Sequence, residues 1–269
     1  MPTEKRERQR AGREARREAA RAAQRRAQRR RQIIAIVTLI AVIFGIGLAL
    51  NLSGGDDDGT DVAADDNNTT STTLGEDGAN ATFGSTECPP AEGAAERKTD
   101  FPDSFENCLR DGVDYKATIE FDVGTVEVDL AEGDSPVTVN NFVALARHRF
   151  YEDVVCHRVL KGFVVQCGDP EGTGSGGPGY TIGEEPPKSG TYEIGQLAMA
   201  KTQAPNSTGS QFFIIVGENG AQLPPQYSLL GTITSGLDVA KKIEADGSDA
   251  DPTPPAVVHK MVKVTIEES

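Results

Sequence analysis

His157-Arg158-Val159-Leu160-Lys161-Gly162-Phe163-Val164-Val165-Gln166-Cys167-Gly168-Asp169 is the stretch whose reading decides the fold. β-Branched or aromatic residues fill most of it and Lys161-Gly162 supplies a turn, so it reads as a short two-strand hairpin. Side chains alternate across a strand. If Arg158 and Gln166 sit opposite each other, a guanidinium and an amide share one face between apolar neighbours, which marks that face as a candidate site.

The pattern on either side is that of a β domain. Ile119 and Phe121, then Val126, Val128 and Leu130, alternate apolar with polar around a turn at Gly124, which predicts an antiparallel pair. Ser135-Pro136 offers a helix N-cap with proline in the first turn, and Val139, Phe142, Val143 and Ala146 recur at helical spacing to about Arg147. Further strands are expected near 194–200, 212–216, 228–234 and 257–266, with a second helix after Ser235. The glycine-rich run 172–180 has no Gly-Lys-Ser/Thr ending and no helical pattern after it, so it reads as a surface loop and not a phosphate cradle. Many short strands with two helices suggest a closed barrel, which removes exposed sheet edges.

The first hundred residues are of another kind. Residues 1–32 hold 13 Lys/Arg against 4 Asp/Glu, a net of +9, while the remainder holds 14 against 37, a net of −23. Ile33–Leu50 is an uncharged run that as a helix would be about 27 Å long, close to a hydrocarbon core. With arginines before it and Asp56, Asp57 and Asp58 after it, the run is expected to be an uncleaved single-pass membrane anchor, the basic arm cytoplasmic and the C-terminus outside. That topology accounts for the basic arm better than a nucleic-acid role does. Gly, Asp, Asn, Thr and Ser dominate the following stretch, which reads as a disordered tether. The expected organisation is a basic tail (1–32), a transmembrane helix (33–52), a linker (53–87), a Cys-bracketed irregular segment (88–112) and a β domain (113–269).

Cys88 and Cys108, in an exported setting with no His nearby, read as a disulfide closing a local loop. Cys156 and Cys167 lie on the two arms of the central hairpin. With Arg158 facing Gln166, Cys156 shares their face and Cys167 takes the other, so a bridge between them requires a bulge or strong local twist, and both pairing states stay open. A zinc site from Cys156, His157 and Cys167 is disfavoured, because adjacent strand residues point to opposite faces and a fourth ligand is missing nearby. No metal and no cofactor is expected.

The blocks His157-Arg158-Val159 through Phe163, Gln166-x-Gly168-Asp169-Pro170, Gly172-Thr173-Gly174, Gly195-Gln196-Leu197-Ala198-Met199-Ala200, Pro205-Asn206 and Gly209-Ser210-Gln211-Phe212-Phe213-Ile214 resemble the signature of cyclophilin-type peptidyl-prolyl isomerases. The resemblance runs from about Tyr115 to Ile266, and with the anchor the chain looks like a membrane-bound bacterial form. It implies a mainly β fold, a closed eight-stranded antiparallel barrel capped by two helices. It also implies that Phe163, Val164, Phe213 and Leu223 form an apolar pocket for a proline ring. Gln166 would hold the substrate backbone and help orient Arg158. Gln211, Ala200 and the backbone near Lys201 would line the groove for preceding residues, with His157 at its border. Two departures stand out. Where many members carry Trp and His near the pocket rim this sequence has Gln222 and Tyr227, which counts against cyclosporin binding, and the segment Met199–Pro205 is one residue longer than the common pattern.

The chemistry follows from the amide. Rotation about X-Pro has a barrier of about 18–20 kcal/mol because of resonance. As the bond twists, the prolyl nitrogen regains its lone pair and becomes a better acceptor, so a donor aimed at it binds the transition state more strongly than the ground state. Arg158 is the expected donor, permanently charged and directional. The expected function is peptidyl-prolyl cis-trans isomerisation in exported proteins, with proline-containing polypeptides as partners, no nucleic acid, and the chain acting as a monomer. The competing reading is a non-catalytic proline-peptide-binding chaperone module at the cell envelope.

Overall fold

The computed structural model describes residues 81–269. Nine strands form one antiparallel sheet: β1 (Tyr115–Phe121), β2 (Gly124–Leu130), β3 (Val154–Val155), β4 (Arg158–Val159), β5 (Val164–Cys167), β6 (Gln196–Met199), β7 (Phe212–Ile215), β8 (Leu229–Ser235) and β9 (Lys260–Glu268). Their spatial order is β3-β9-β1-β2-β8-β6-β7-β5-β4. Helix α1 (Pro136–Arg147) follows β2, a single turn α2 (Glu218–Ala221) follows β7, and α3 (Leu237–Ala245) follows β8.

The expectation of a closed eight-stranded barrel is therefore corrected. Among the described residues there are nine strands, and the sheet is an open half-barrel whose end strands β3 and β4 do not pair. The physical reason lies in two residues. Cys156 and His157 separate β3 from β4, and the Cys156 N–H turns away from the hairpin to donate to the His259 carbonyl at 2.8 Å. One stretch of chain thus serves both ends of the sheet, and covalent continuity stands where ladder hydrogen bonds would close a barrel. Register shifts at Glu120/Phe121, Glu127/Val128 and Leu197/Ala198 supply bends of the kind that curl a sheet. Among the described residues no helix is long and apolar enough to cross a membrane. The anchor expected at Ile33–Leu50 and the linker after it up to residue 80 lie outside the described residues.

α1 and α3 form where periodicity places them. α1 is buried along nearly its whole length, with Val139, Phe142, Val143 and Leu145 fully enclosed. Its cap differs from the expected one. The Ser135 hydroxyl donates to the Glu185 carbonyl at 3.3 Å, and it is the Glu185 carboxylate that accepts the free N–H groups of Val137 and Thr138, at 3.1 and 2.7 Å. A negative charge at the helix N-terminus suits the macrodipole, and it comes from a residue about fifty positions downstream, beyond the reach of a local capping pattern.

The segment before the sheet joins the same core. Phe101 and Phe105 are buried and pack edge to face at 5.0 Å, and both rings lie against His148 at the end of α1. Asn140 of α1 accepts from the Cys108 N–H at 2.7 Å and donates to the Glu106 carbonyl at 2.9 Å. Cys88 and Cys108 are disulfide-bonded across 20 positions of sequence. Closing a loop of that length contributes about 3 kcal/mol by restricting the unfolded chain. Replacing both cysteines by serine should lower the unfolding free energy by about that amount in urea titrations; an unchanged midpoint would show that packing alone holds the segment.

Candidate active site on the second face of the sheet

β5, β7 and β6 carry apolar side chains on both faces. Val165, Cys167, Phe212, Ile214, Leu197 and Met199 enter the main core, whereas Val164, Phe213, Ile215 and Ala198 form a separate cluster with Tyr192. Period-two alternation sends the two sets to opposite sides. Strand register then aligns one row across four strands: Arg158 of β4 opposite Gln166 of β5, Gln166 opposite Phe213 of β7, and Phe213 opposite Ala198 of β6. At about 4.8 Å per strand the row runs about 14 Å, the span of a few peptide residues.

The hairpin turn that positions Arg158 is built on Gly162, at φ +71°, a conformation that costs a glycine little. Gly217 packs flat against it, and a Cβ at Gly217 would fall 2.1 Å from the Gly162 carbonyl carbon. This close approach lets α2 sit beneath the turn and carry Leu223 to the rim of the apolar cluster.

The polar half of the row is a chain of hydrogen bonds that all run one way. Arg158 Nη1 donates to Gln166 Oε1 at 3.2 Å, Gln166 Nε2 to Gln211 Oε1 at 2.9 Å, and Gln211 Nε2 to the Gly176 carbonyl at 3.0 Å. A chain polarised in one direction strengthens each link. Its far end is fixed by Asp169. That buried carboxylate accepts the N–H groups of Glu171 (2.8 Å), Gly174 (2.5 Å) and Gly176 (3.2 Å) and the Thr173 hydroxyl (3.2 Å). Burial alone would raise its pKa, but these four donors hold it below the usual carboxylate value. The glycine-rich run is thus a loop, as read, wrapped around one carboxylate.

Of the residues singled out in the sequence, Phe163, Val164, Ala200, Phe213, Leu223 and Tyr227 meet in the apolar cluster. Tyr227 packs edge to face on Phe213 at 5.4 Å. Arg158, Gln166 and Gln211 form the polar chain, and the Arg158 guanidinium lies 5.6 Å from the Phe163 ring centre. Lys201 follows Ala200 past the end of β6, and its ammonium makes no hydrogen bond or ion pair among the described residues. His157 lies beside Gly174 and Arg158, with both ring nitrogens buried and without a hydrogen-bond partner among the described residues.

Cys156 and Cys167 are bonded to each other, and both enter the main core. The expectation that Cys156 shares the Arg158 face is corrected. The β4–β5 ladder ends at Arg158–Gln166, and the bend through Cys156–His157 resets the alternation so that both sulfurs meet on one side.

Two participants carried no signal in the sequence. Tyr192, in a loop, donates its hydroxyl to the Tyr227 carbonyl at 2.7 Å and accepts the Tyr227 N–H at 2.9 Å, pinning that rim residue; burial raises its pKa and keeps the donor protonated. Asp251 accepts from Arg158 Nε at 3.1 Å and from Nη2 at 2.8 Å. It lies 93 positions from its partner, in a Pro-rich stretch without periodicity.

His157 supplies a test of this geometry. Burial lowers its pKa below the ordinary imidazole value of about 6.5, outweighing the opposite pull of Asp169. Between the two pKa values the unfolded chain binds the extra proton, so the stability due to a neutral His157 is fully present above pH 6.5 or so and is lost as pH falls through the window below it. Burial lowers the His148 pKa in the same sense. Wild-type protein should therefore lose stability as pH falls below about 6.5, and His157→Gln should flatten part of that slope. Equal slopes in wild type and variant would show that His157 is solvated.

A family model described as "Cyclophilin type peptidyl-prolyl cis-trans isomerase/CLD" matches residues 116–266. The probable peptidyl-prolyl cis-trans isomerase B of Mycobacterium tuberculosis is 40% identical over 140 residues, covering 46% of this chain and 44% of that protein. The peptidyl-prolyl cis-trans isomerase B of Bacillus subtilis is 43% identical over 123 residues, 45% of this chain and 85% of that protein. The chain thus spans under half the length of the mycobacterial relative. A Cryptosporidium parvum cyclophilin type peptidyl-prolyl cis-trans isomerase, crystallised in the presence of the dipeptide Ala-Pro, superposes with a TM-score of 0.52 at 29% identity, over 56% of this chain and 98% of that one. With the family model covering more than half of the 269 residues, and with a guanidinium, two amides and an apolar cluster brought to one face of the sheet, the chain belongs to the cyclophilin-type peptidyl-prolyl cis-trans isomerase family.

Proposed function

We propose that the protein is a peptidyl-prolyl cis-trans isomerase that accelerates folding of exported polypeptides. The observation that carries this reading is the row Arg158–Gln166–Phe213–Ala198, in which a charged donor and an apolar seat lie side by side. A proline ring fits the cluster of Phe163, Val164, Phe213 and Leu223. Gln166 and Gln211 offer amide groups to the peptide backbone, and Arg158 directs its donor at the prolyl nitrogen as the amide twists. The mechanism needs no nucleophile: the step is a rotation, and the side chains act by binding the twisted state more tightly. The Ala-Pro dipeptide present with the Cryptosporidium relative supports a prolyl ligand in this groove.

The reading extends to location. The uncharged run Ile33–Leu50, the +9 arm before it and the acidic stretch after it support a single-pass anchor with the β domain outside the cytoplasmic membrane. The two disulfides of the described residues fit an oxidising compartment. Protease added to intact spheroplasts should then remove the β domain, while protection until lysis would refute this topology.

Arg158→Ala in the full chain should slow cis/trans exchange of a prolyl peptide by at least about tenfold, the worth of one charged hydrogen bond, while peptide affinity falls much less. Phe163→Ala should weaken affinity more than turnover of bound peptide, because an apolar wall serves ground and transition states alike. Exchange measured by NMR decides the matter. A wild-type chain that binds prolyl peptides yet leaves their exchange unchanged would establish a binding module in place of an enzyme.

A further inference from the structure

The contact between Arg158 and Asp251 is not required by the twisted-amide mechanism, and it is built with some care. Ser248, nearly buried, is held beside the hairpin: its N–H donates to the Val159 carbonyl at 2.9 Å and its carbonyl accepts from the Lys161 N–H at 3.1 Å. Its hydroxyl meets the carbonyls of Ala250 (3.2 Å) and Thr253 (2.9 Å), and the Thr253 N–H donates to the Ala250 carbonyl at 2.9 Å. These bonds hold a tight loop with Asp251 at its tip. Oxygen Oδ2 of Asp251 takes both Nε and Nη2 of Arg158.

A guanidinium has five N–H donors. Asp251 uses two and Gln166 one, which leaves one N–H on each terminal nitrogen to meet a peptide. The aspartate therefore need not leave for the site to work. What it changes is charge. With the pair intact the donor group presents a net charge near zero to an arriving peptide, and nearby Lys161 and Asp249, 4.0 Å apart, balance each other.

Resting on the isomerase reading, we propose that Asp251 is a specificity-determining residue: by neutralising Arg158 it keeps the groove from favouring prolyl peptides with acidic residues beside the proline, so that neutral and basic sequences are accepted. The side chains are 31% and 49% exposed, so the effect is partly screened by water and salt.

The test uses the full chain and three peptides that differ only in the residue before proline, Glu, Ala or Lys, with kcat/KM taken from cis/trans exchange at low ionic strength. Asp251→Asn keeps an acceptor oxygen for Arg158 and removes the charge. It should raise the Glu-to-Lys ratio of kcat/KM by about fivefold, as expected for one unit charge several ångströms away, and high salt should shrink that change. Asp249→Asn removes the same charge from a 90% exposed side chain and should move the ratio much less. An unchanged ratio in Asp251→Asn while the Ala peptide is still turned over, or an equal change in Asp249→Asn, overturns the proposal and leaves the isomerase reading standing. A wild-type chain that accelerates none of the three peptides overturns both.

Discussion

Period-two alternation along β5, β6 and β7 is the constraint on which the rest depends. Each of these strands carries apolar side chains on both sides, so the sheet has a core on one face and a smaller apolar seat on the other. A strand of this kind cannot slip by one residue without exchanging the two sets of side chains. Phe212 and Phe213 show the consequence, since neighbours of identical chemistry serve the core and the seat respectively. The core and the second apolar cluster are thus tied to one register, and the turn at Gly162 with Gly217 packed on it fixes that register at the hairpin end.

Around the seat the polar groups are over-determined. Asp169 collects four donors and thereby sets Gly176, Gly176 sets Gln211, Gln211 sets Gln166, and Gln166 shares Arg158 with Asp251. Each long side chain loses rotamer freedom in this arrangement, and the loss is met within the fold itself. A guanidinium held from two sides presents its free N–H groups at a defined angle, and the proposed stabilisation of a twisted amide rests on that.

Much of this was legible in the sequence because it is local. The hairpin, the β1–β2 pair and both main helices follow from spacing over ten or so residues, and Arg158 facing Gln166 follows from one turn. Three misses are non-local. The open seam arises because Cys156 bonds to His259, a hundred residues away. The α1 cap comes from Glu185 instead of Ser135, and the second partner of Arg158 comes from Asp251. The Cys156–Cys167 pairing could not be settled by counting alternation, because the bend that brings the sulfurs together lies just where the ladder ends.

Phe101, Phe105 and the Cys88–Cys108 bond lie upstream of residue 116, where the family match begins, yet the two rings belong to the central core. The boundary of homology is therefore not the boundary of the folding unit. A fragment cut at residue 113 would bare the surface those rings cover on α1 and His148, and would offer it to whatever apolar surface came near. The segment acts as a built-in cover, so designs that graft, tag or shorten this protein need to begin ahead of Gly84, whose N–H donates to the Phe105 carbonyl.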